Sequence, residues 1–551
     1  MIADLQTVTC LWPELALVLL ACCLYVGSSV RPSRAWWAAF SLASYAVVAG
    51  MLLWREAGYW NSGPGGGKAF ATGPILVDYL GYVFRCLALM LGALFTMTVS
   101  RTARRELAGE YLGTLMLLVA GLMLVARAND LVLLFVSLEL VSIPTYVLLY
   151  LGRRDRATWE ATVKYFFLSI LASALFLYGA SFLYGLTGTT AIIGVGNQAG
   201  IGQVAASRPV ELAMGRSLPW GVLAFVLIFA GLGFKIAAVP FHFYAPDVYQ
   251  GANNPNAGLL SVAPKVAGIL AIVRLLVAAF PLAAGLAWQL SLVLALLTMT
   301  IGNVCALWQS NIRRLMAYSS VAHAGYLLIG FAVAFMASEE GVARDGGVAA
   351  VLFYLFVYAI ATLGVFAALT YLGGEDREVD TVEELSGLGR SEPMAAAVLA
   401  VCLFSLAGIP PLAGFWGKLA LFLGAIRTAG GVESPVSAWF AVLAVGAALN
   451  AAIAAAYYLR VIAAMYFRPA PRPVSPHGGW GAWSAMCVCA LLLLAVGAFP
   501  RRSLEAAHQS ELVTRVAVES RPASSPARDA PAARGSDRAA PPLRGHVAGR
   551  T

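Results

Sequence analysis

Five lysines stand among 32 arginines in this 551-residue chain, and four of the five, Lys164, Lys235, Lys265 and Lys418, fall inside apolar runs. In such a setting the two bases are not equivalent. Arginine keeps its proton at any accessible pH, whereas a buried lysine can release a proton and take it back. Lysine in place of arginine there is the mark of a proton switch. A carboxylate within about 4–6 Å would hold such a lysine charged, and its withdrawal would let the proton go. Glu139, in LFVSLELVSIP, is the one acid deep in an apolar run of the first half, so it pairs naturally with Lys235 in FAGLGFKIAAVP.

A fixed ion pair that sets helix packing would account for Glu139 and Lys235 alone. It would not account for the set. Lys265, in SVAPKVAGIL, and Lys418, in LAGFWGKLALF, have no comparable acid nearby in sequence, so a static core would keep uncompensated charge. At roughly 2.5–3.5 kcal/mol for each charge near a bilayer centre, a series of titratable groups reads as a proton or ion path. Lys164, in TWEATVKYFFL, lies about one turn inside its run and can snorkel to the interface. His242 and His323 also fall in apolar surroundings, the second just after Ser319 and Ser320. Each is either a hydrogen-bonded packing residue or a carrier between lysines. Asp78 and Arg85, two turns apart, read as a structural pair facing one another through a water.

The elements that must position these groups follow from composition. Hydrophobic residues make up 60% of the chain and charged residues 12%, against roughly 25% in soluble domains. With a mean hydropathy of +0.78, the apolar residues exceed what one globular core can bury, and lipid must solvate most of the chain. The net charge of +9 is then a question of membrane sidedness and not a nucleic-acid signal. The expected fold is an all-α membrane protein of about fourteen transmembrane helices. Helices seven and twelve are discontinuous, broken at Pro240 and at Pro410-Pro411; Pro144 lies inside the fifth.

Breaks five helices apart suggest two five-helix units, residues 110–280 and 286–467, which an odd number of spans would make inverted repeats. A three-helix segment, 1–109, precedes them; a last helix, 480–499, and a disordered Pro/Ala/Arg-rich tail, 500–551, follow. Loop arginines and lysines place both termini outside the cytoplasm. The first nine residues hold Asp4 and no base, so the first apolar run is expected to be retained. The acidic loop 373–392 reads as a solvated face.

Several chemistries are not written in the sequence. The eight cysteines, Cys10, Cys22, Cys23, Cys86, Cys305, Cys402, Cys487 and Cys489, form no CxxC pair and read as buried small hydrophobes. No metal site and no cofactor site is expected. SGPGGGKA at 62–69 lacks the first Gly and the final Ser or Thr of a phosphate loop, and no dinucleotide fingerprint occurs.

Three stretches, VPFHFYAPDVYQGANNPNAGLLSVAPK (239–265), RRLMAYSSVAHAGYLLIG (313–330) and SLAGIPPLAGFWGK (405–418), resemble the subunit N family of bacterial NADH-quinone oxidoreductase, respiratory complex I. The resemblance covers roughly residues 10–500. It implies a proton-translocating subunit of the membrane arm of a translocase, in the bacterial inner membrane, with Glu139, Lys235, Lys265 and Lys418 on the proton path and Lys164 as the sixth-helix lysine. It implies other membrane-arm subunits as partners, lipid around the chain and no nucleic acid. NADH, FMN, iron-sulfur clusters and quinone belong to partner subunits. Asn253-Asn254-Pro255-Asn256 departs from the Pro-Thr-Pro common in the family, and the tail is longer than expected. The other readings are a subunit of a multi-subunit cation/proton antiporter or membrane hydrogenase, and a stand-alone secondary transporter.

Overall fold

The computed structural model describes residues 5–30, 33–57, 69–195, 198–207, 218–277, 284–339, 346–373, 378–432, 435–470 and 476–519. Most of the phosphate-loop lookalike, Glu375, Asp376 and the tail beyond 519 lie outside them. In lipid every backbone N–H and C=O must be satisfied within its own segment, so the apolar runs close into helices. In chain order the main ones are α1 (Trp12–Val30), α2 (Arg34–Leu52), α3 (Tyr79–Val99), α4 (Ala108–Val125), α5 (Leu131–Tyr150), α6 (Arg156–Thr187), α7 (Leu218–Ile236) and α8 (Ala245–Gly251). Then come α9 (Asn254–Ala271), α10 (Ala284–Leu307), α11 (Ile312–Glu339), α12 (Gly347–Leu372), α13 (Pro393–Ala407), α14 (Ala413–Gly431), α15 (Val436–Phe467), α16 (Gly479–Ala498) and α17 (Pro500–Glu519). The one sheet among the described residues is a hairpin, Phe70–Thr72 against Ile75–Val77.

Polar residues mark where helices start. Asp78, Asp130, Asp155 and Asn253 each accept backbone N–H groups in the first turns of α3, α5, α6 and α9, taking up donors that have no partner within the helix. Twelve helices among the described residues are long and apolar enough to cross a membrane. Two shorter apolar helices, Trp220–Ile236 and Pro393–Ala407, are the first parts of the two broken segments. The expected count of fourteen is not confirmed: twelve helices qualify among the described residues, and these two open the broken segments. Helices α9, α11 and α12 form the buried centre, and α1 and α15 lie on the rim.

Four expectations are corrected. Asp78 and Arg85 do not face each other. Asp78 caps α3 and takes both terminal nitrogens of Arg274, from the π-helical end of α9, while Arg85 pairs with Glu14 at 2.7 Å and Glu56 at 2.6 Å. Spacing along one helix cannot foresee partners brought in by other helices. The tail is not disordered from its start: α17 folds back, and Glu511 accepts from the Gly346 and Ala349 N–H groups at 3.1 Å each, capping α12. Cys22 and Cys23 are exposed, because α1 turns a face outward from the bundle. Finally, the acidic loop is only partly a solvated face, since Glu378 is drawn into a buried ion-pair cluster.

Candidate functional site: a line of buried bases

The first group is assembled at the break after α7. Lys235 sits in the last turn of that helix, and beyond it Ala237 adopts a left-handed conformation (φ 58°) at a cost of roughly 1–2 kcal/mol for a residue with a Cβ. The backbone groups the break frees find partners: the Val239 N–H donates to Thr298 Oγ at 3.1 Å, and the Tyr244 hydroxyl donates to the Phe234 carbonyl at 3.1 Å. Held this way, the Lys235 ammonium lies 3.7 Å from the Glu139 carboxylate and donates to Ser142 Oγ at 2.5 Å. Glu139 and Ser142 are three residues apart, hence on one face of α5. Glu139 also accepts from Ser173 of α6, and its side chain is 21% exposed against 5% for Lys235. The pair inferred from sequence exists, and its acid is the more open partner.

The second group lies among α9, α11, α12, α14 and α15. Lys265 donates to Ser320, whose Oγ is 2.8 Å from the Tyr358 hydroxyl. One turn on, His323 places Nδ1 2.5 Å from the Tyr354 hydroxyl and Nε2 2.9 Å from the Tyr458 hydroxyl, which in turn bonds Ser319. The His323 and Tyr358 rings are 5.0 Å apart, so the two clusters touch. Lys418, on α14, reaches back across the second break and donates to the Leu406 and Ala407 carbonyls at 2.9 Å each, the unsatisfied end of α13. Its ammonium lies 4.9 Å from the centre of the Tyr326 ring. Gly408 (φ 86°) makes this possible, because a Cβ there would approach Lys418 Cδ to 2.8 Å. Lys265, His323 and Lys418 are all buried.

Between the two groups the helices touch. A Cβ on Gly268 would meet Ile236 Cγ2 at 2.7 Å and Lys235 Cβ at 3.2 Å, so α9 can approach α7 only with glycine there. No hydrogen-bonded side chain joins Lys235 to Lys265 among the described residues. Two expected members stand apart. Lys164 is 43% exposed and pairs with Glu160 at 2.7 Å and Asp247 at 3.5 Å. His242 lies, half-buried, in the α7 break. Sequence reasoning missed Ser142, Ser173, Tyr354, Tyr358 and Tyr458. Tyr354 and Tyr358, four apart on α12, were visible as one polar stripe in an otherwise apolar helix.

Residues 128–448 match the family described as NADH:quinone oxidoreductase/Mrp antiporter, TM. The chain belongs to that family. Among its relatives, the NADH-quinone oxidoreductase subunit N of Rhodospirillum rubrum is 38% identical over 393 residues, 71% of this chain and 74% of that protein. The subunit N of Moorella thermoacetica is 37% identical over 500 residues, 90% of this chain and 95% of its own length. A chain of Thermus thermophilus respiratory complex I superposes with a TM-score of 0.71 at 32% identity, covering 90% of this chain and 99% of that one. An Mrp complex chain from Dietzia, at 21% identity and a TM-score of 0.73 over 92% of this chain and 99% of that one, shares the fold. Within this NADH:quinone oxidoreductase/Mrp antiporter family, the matched span contains Glu139, Lys235, Lys265, His323 and Lys418. Among the described residues no group of three or more His, Cys, Asp or Glu could hold a metal ion.

Proposed function

We propose that this chain is a proton-translocating subunit of the membrane arm of an NADH-quinone oxidoreductase. Energy released by quinone reduction elsewhere in the complex opens and closes the Glu139–Lys235 pair. Closed, the carboxylate holds the ammonium charged. Opened, Lys235 gives up its proton toward Lys265; Ser320, Tyr358, His323, Tyr354 and Tyr458 then carry it to Lys418, which exchanges with the far side. The single observation that carries this reading is the placement of Lys265 in a buried network of hydroxyls and one imidazole, with Lys418 buried beyond it on the carbonyl end of α13. A static core would have no use for two bases without an acid.

Two five-helix units, 110–280 and 286–467, related as inverted repeats, would each supply one broken helix. Both termini face away from the cytoplasm of a bacterial inner membrane, lipid surrounds the rim, and other subunits of the complex hold NADH, FMN, iron-sulfur clusters and quinone. Lys164, in exposed ion pairs, stands beside this route, and His242, in the α7 break, is the other candidate carrier between the lysines. The test is Lys235→Met in the reconstituted complex. Assembly and electron input are expected to persist while proton uptake into vesicles falls at least tenfold; undiminished pumping by the assembled variant would overturn the proposal.

A further inference from the structure

Glu378 lies in the connection between α12 and α13, yet its side chain is only 11% exposed and touches the starts of two helices and the link between two others. It accepts from Arg313 at the start of α11, from Arg153 Nη1 at 3.3 Å in the link between α5 and α6, and from the N–H of Asn254, first residue of α9, at 3.2 Å. Arg313 tightens the knot, donating to Asn254 Oδ1 at 3.3 Å and to Asp380 at 2.7 Å. Burial raises the Glu378 carboxyl above the ordinary range, against the pull of Arg313 and Arg153.

The helices joined here carry the proposed relay: Glu139 on α5, Lys265 on α9, Ser320 and His323 on α11. Lys265 is eleven residues from Asn254, His323 ten from Arg313, and Glu139 eleven from Tyr150 at the end of α5. At 1.5 Å per residue, Lys265 and His323 stand about 15–17 Å from their tied ends, and Glu139 stands about 17 Å from the end of α5, three residues before Arg153. Hydrogen bonds tolerate only a few tenths of an ångström, whereas packed helices shift by about 1–2 Å when proteins switch. A common tether at equal depth would therefore decide whether Lys265 meets Ser320. We propose that Glu378 is a positioning residue that sets the relative depth of Glu139, Lys265 and His323 through the ends of their helices. This rests on the proton-relay reading above.

The test uses the assembled complex in proteoliposomes with Glu378→Gln, Glu378→Ala and Glu378→Asp, and Lys265→Met for comparison. Protons moved per NADH oxidised are measured beside NADH oxidation and the amount of complex. The ratio is expected to fall in the Gln and Ala variants to the level of Lys265→Met, and to recover by at least half in the Asp variant. A wild-type ratio in Glu378→Gln, with rate and assembly falling together or not at all, would overturn the proposal. Hydrogen exchange at the first turns of α9 and α11 decides independently of pumping: it should quicken at least threefold in Glu378→Gln, and unchanged protection would refute the tether. If Lys265→Met pumps normally while exchange quickens, the relay reading fails and the tether stands.

Discussion

The surroundings of Lys235 and of Lys418 solve the same problem in opposite ways. Lys235 faces a carboxylate at 3.7 Å, so the closed pair is neutral and separating its members creates charge. Lys418, and Lys265 before it, touch no carboxylate among the described residues, and each proton they hold is a net charge in the membrane. That charge costs roughly 2.5–3.5 kcal/mol. Facing the Tyr326 ring returns about 0.5–2 kcal/mol, and the end of α13 up to about 2 kcal/mol. These returns offset part of that cost, and with no acid beside it Lys418 has only backbone dipoles and a ring face to hold its charge. The contrast sets an ion pair, whose separation would expose two charges, against a cation that has no counter-charge to lose.

The strongest way to break this comparison is to remove the ability to switch while keeping the charge. Lys418→Arg retains a cation that can still bond the α13 carbonyls, but a guanidinium does not give up its proton. Pumping in reconstituted vesicles should fall as far as with Lys235→Met, at least tenfold. Near-normal proton uptake would show that charge alone, without release, suffices at this position.

A gentler change makes the second region imitate the first. Ser320→Asp sets a carboxylate where Lys265 now donates to a hydroxyl. The new pair should trap the proton on Lys265 and slow pumping about three- to tenfold, while the added partner leaves assembly intact or improves it. Faster pumping, or no change, would mean that the absence of an acid in this half is incidental.

How much of this was legible in the sequence follows from which forces are local. Helices were readable because lipid leaves an apolar run no other way to satisfy its backbone, and the breaks because proline cannot donate. The Glu139–Lys235 pair was readable because one acid and one base stood out against an apolar ground. Partners far apart in sequence were not. Asp78 meets Arg274 across 196 positions, and Arg153 meets Glu378 across 225, and no pattern within a single helix specifies either. The acidic loop was misread for the same reason: charge composition says that a segment is polar, not whether arginines from other helices close over it.

Lys164 gives the comparison its finest edge, since by residue type it belongs with the relay and by geometry it does not. It lies eight residues into α6, about 12 Å from the helix start, and faces outward to Glu160 and Asp247, the latter also held by Arg314 at 2.7 Å. Exposed ion pairs of this kind contribute about 0–1 kcal/mol, because solvent screens them and two long side chains must be ordered. Lys164→Met should therefore leave proton uptake per NADH within about twofold of wild type, and Lys164→Arg should be indistinguishable from it, since nothing at this position requires proton release. The pair of variants separates the two roles of a lysine. If Arg restores what Met removes, Lys164 serves by charge; if both lose pumping tenfold, its ammonium must deprotonate, and the route runs past the α6 surface as well as through the buried line.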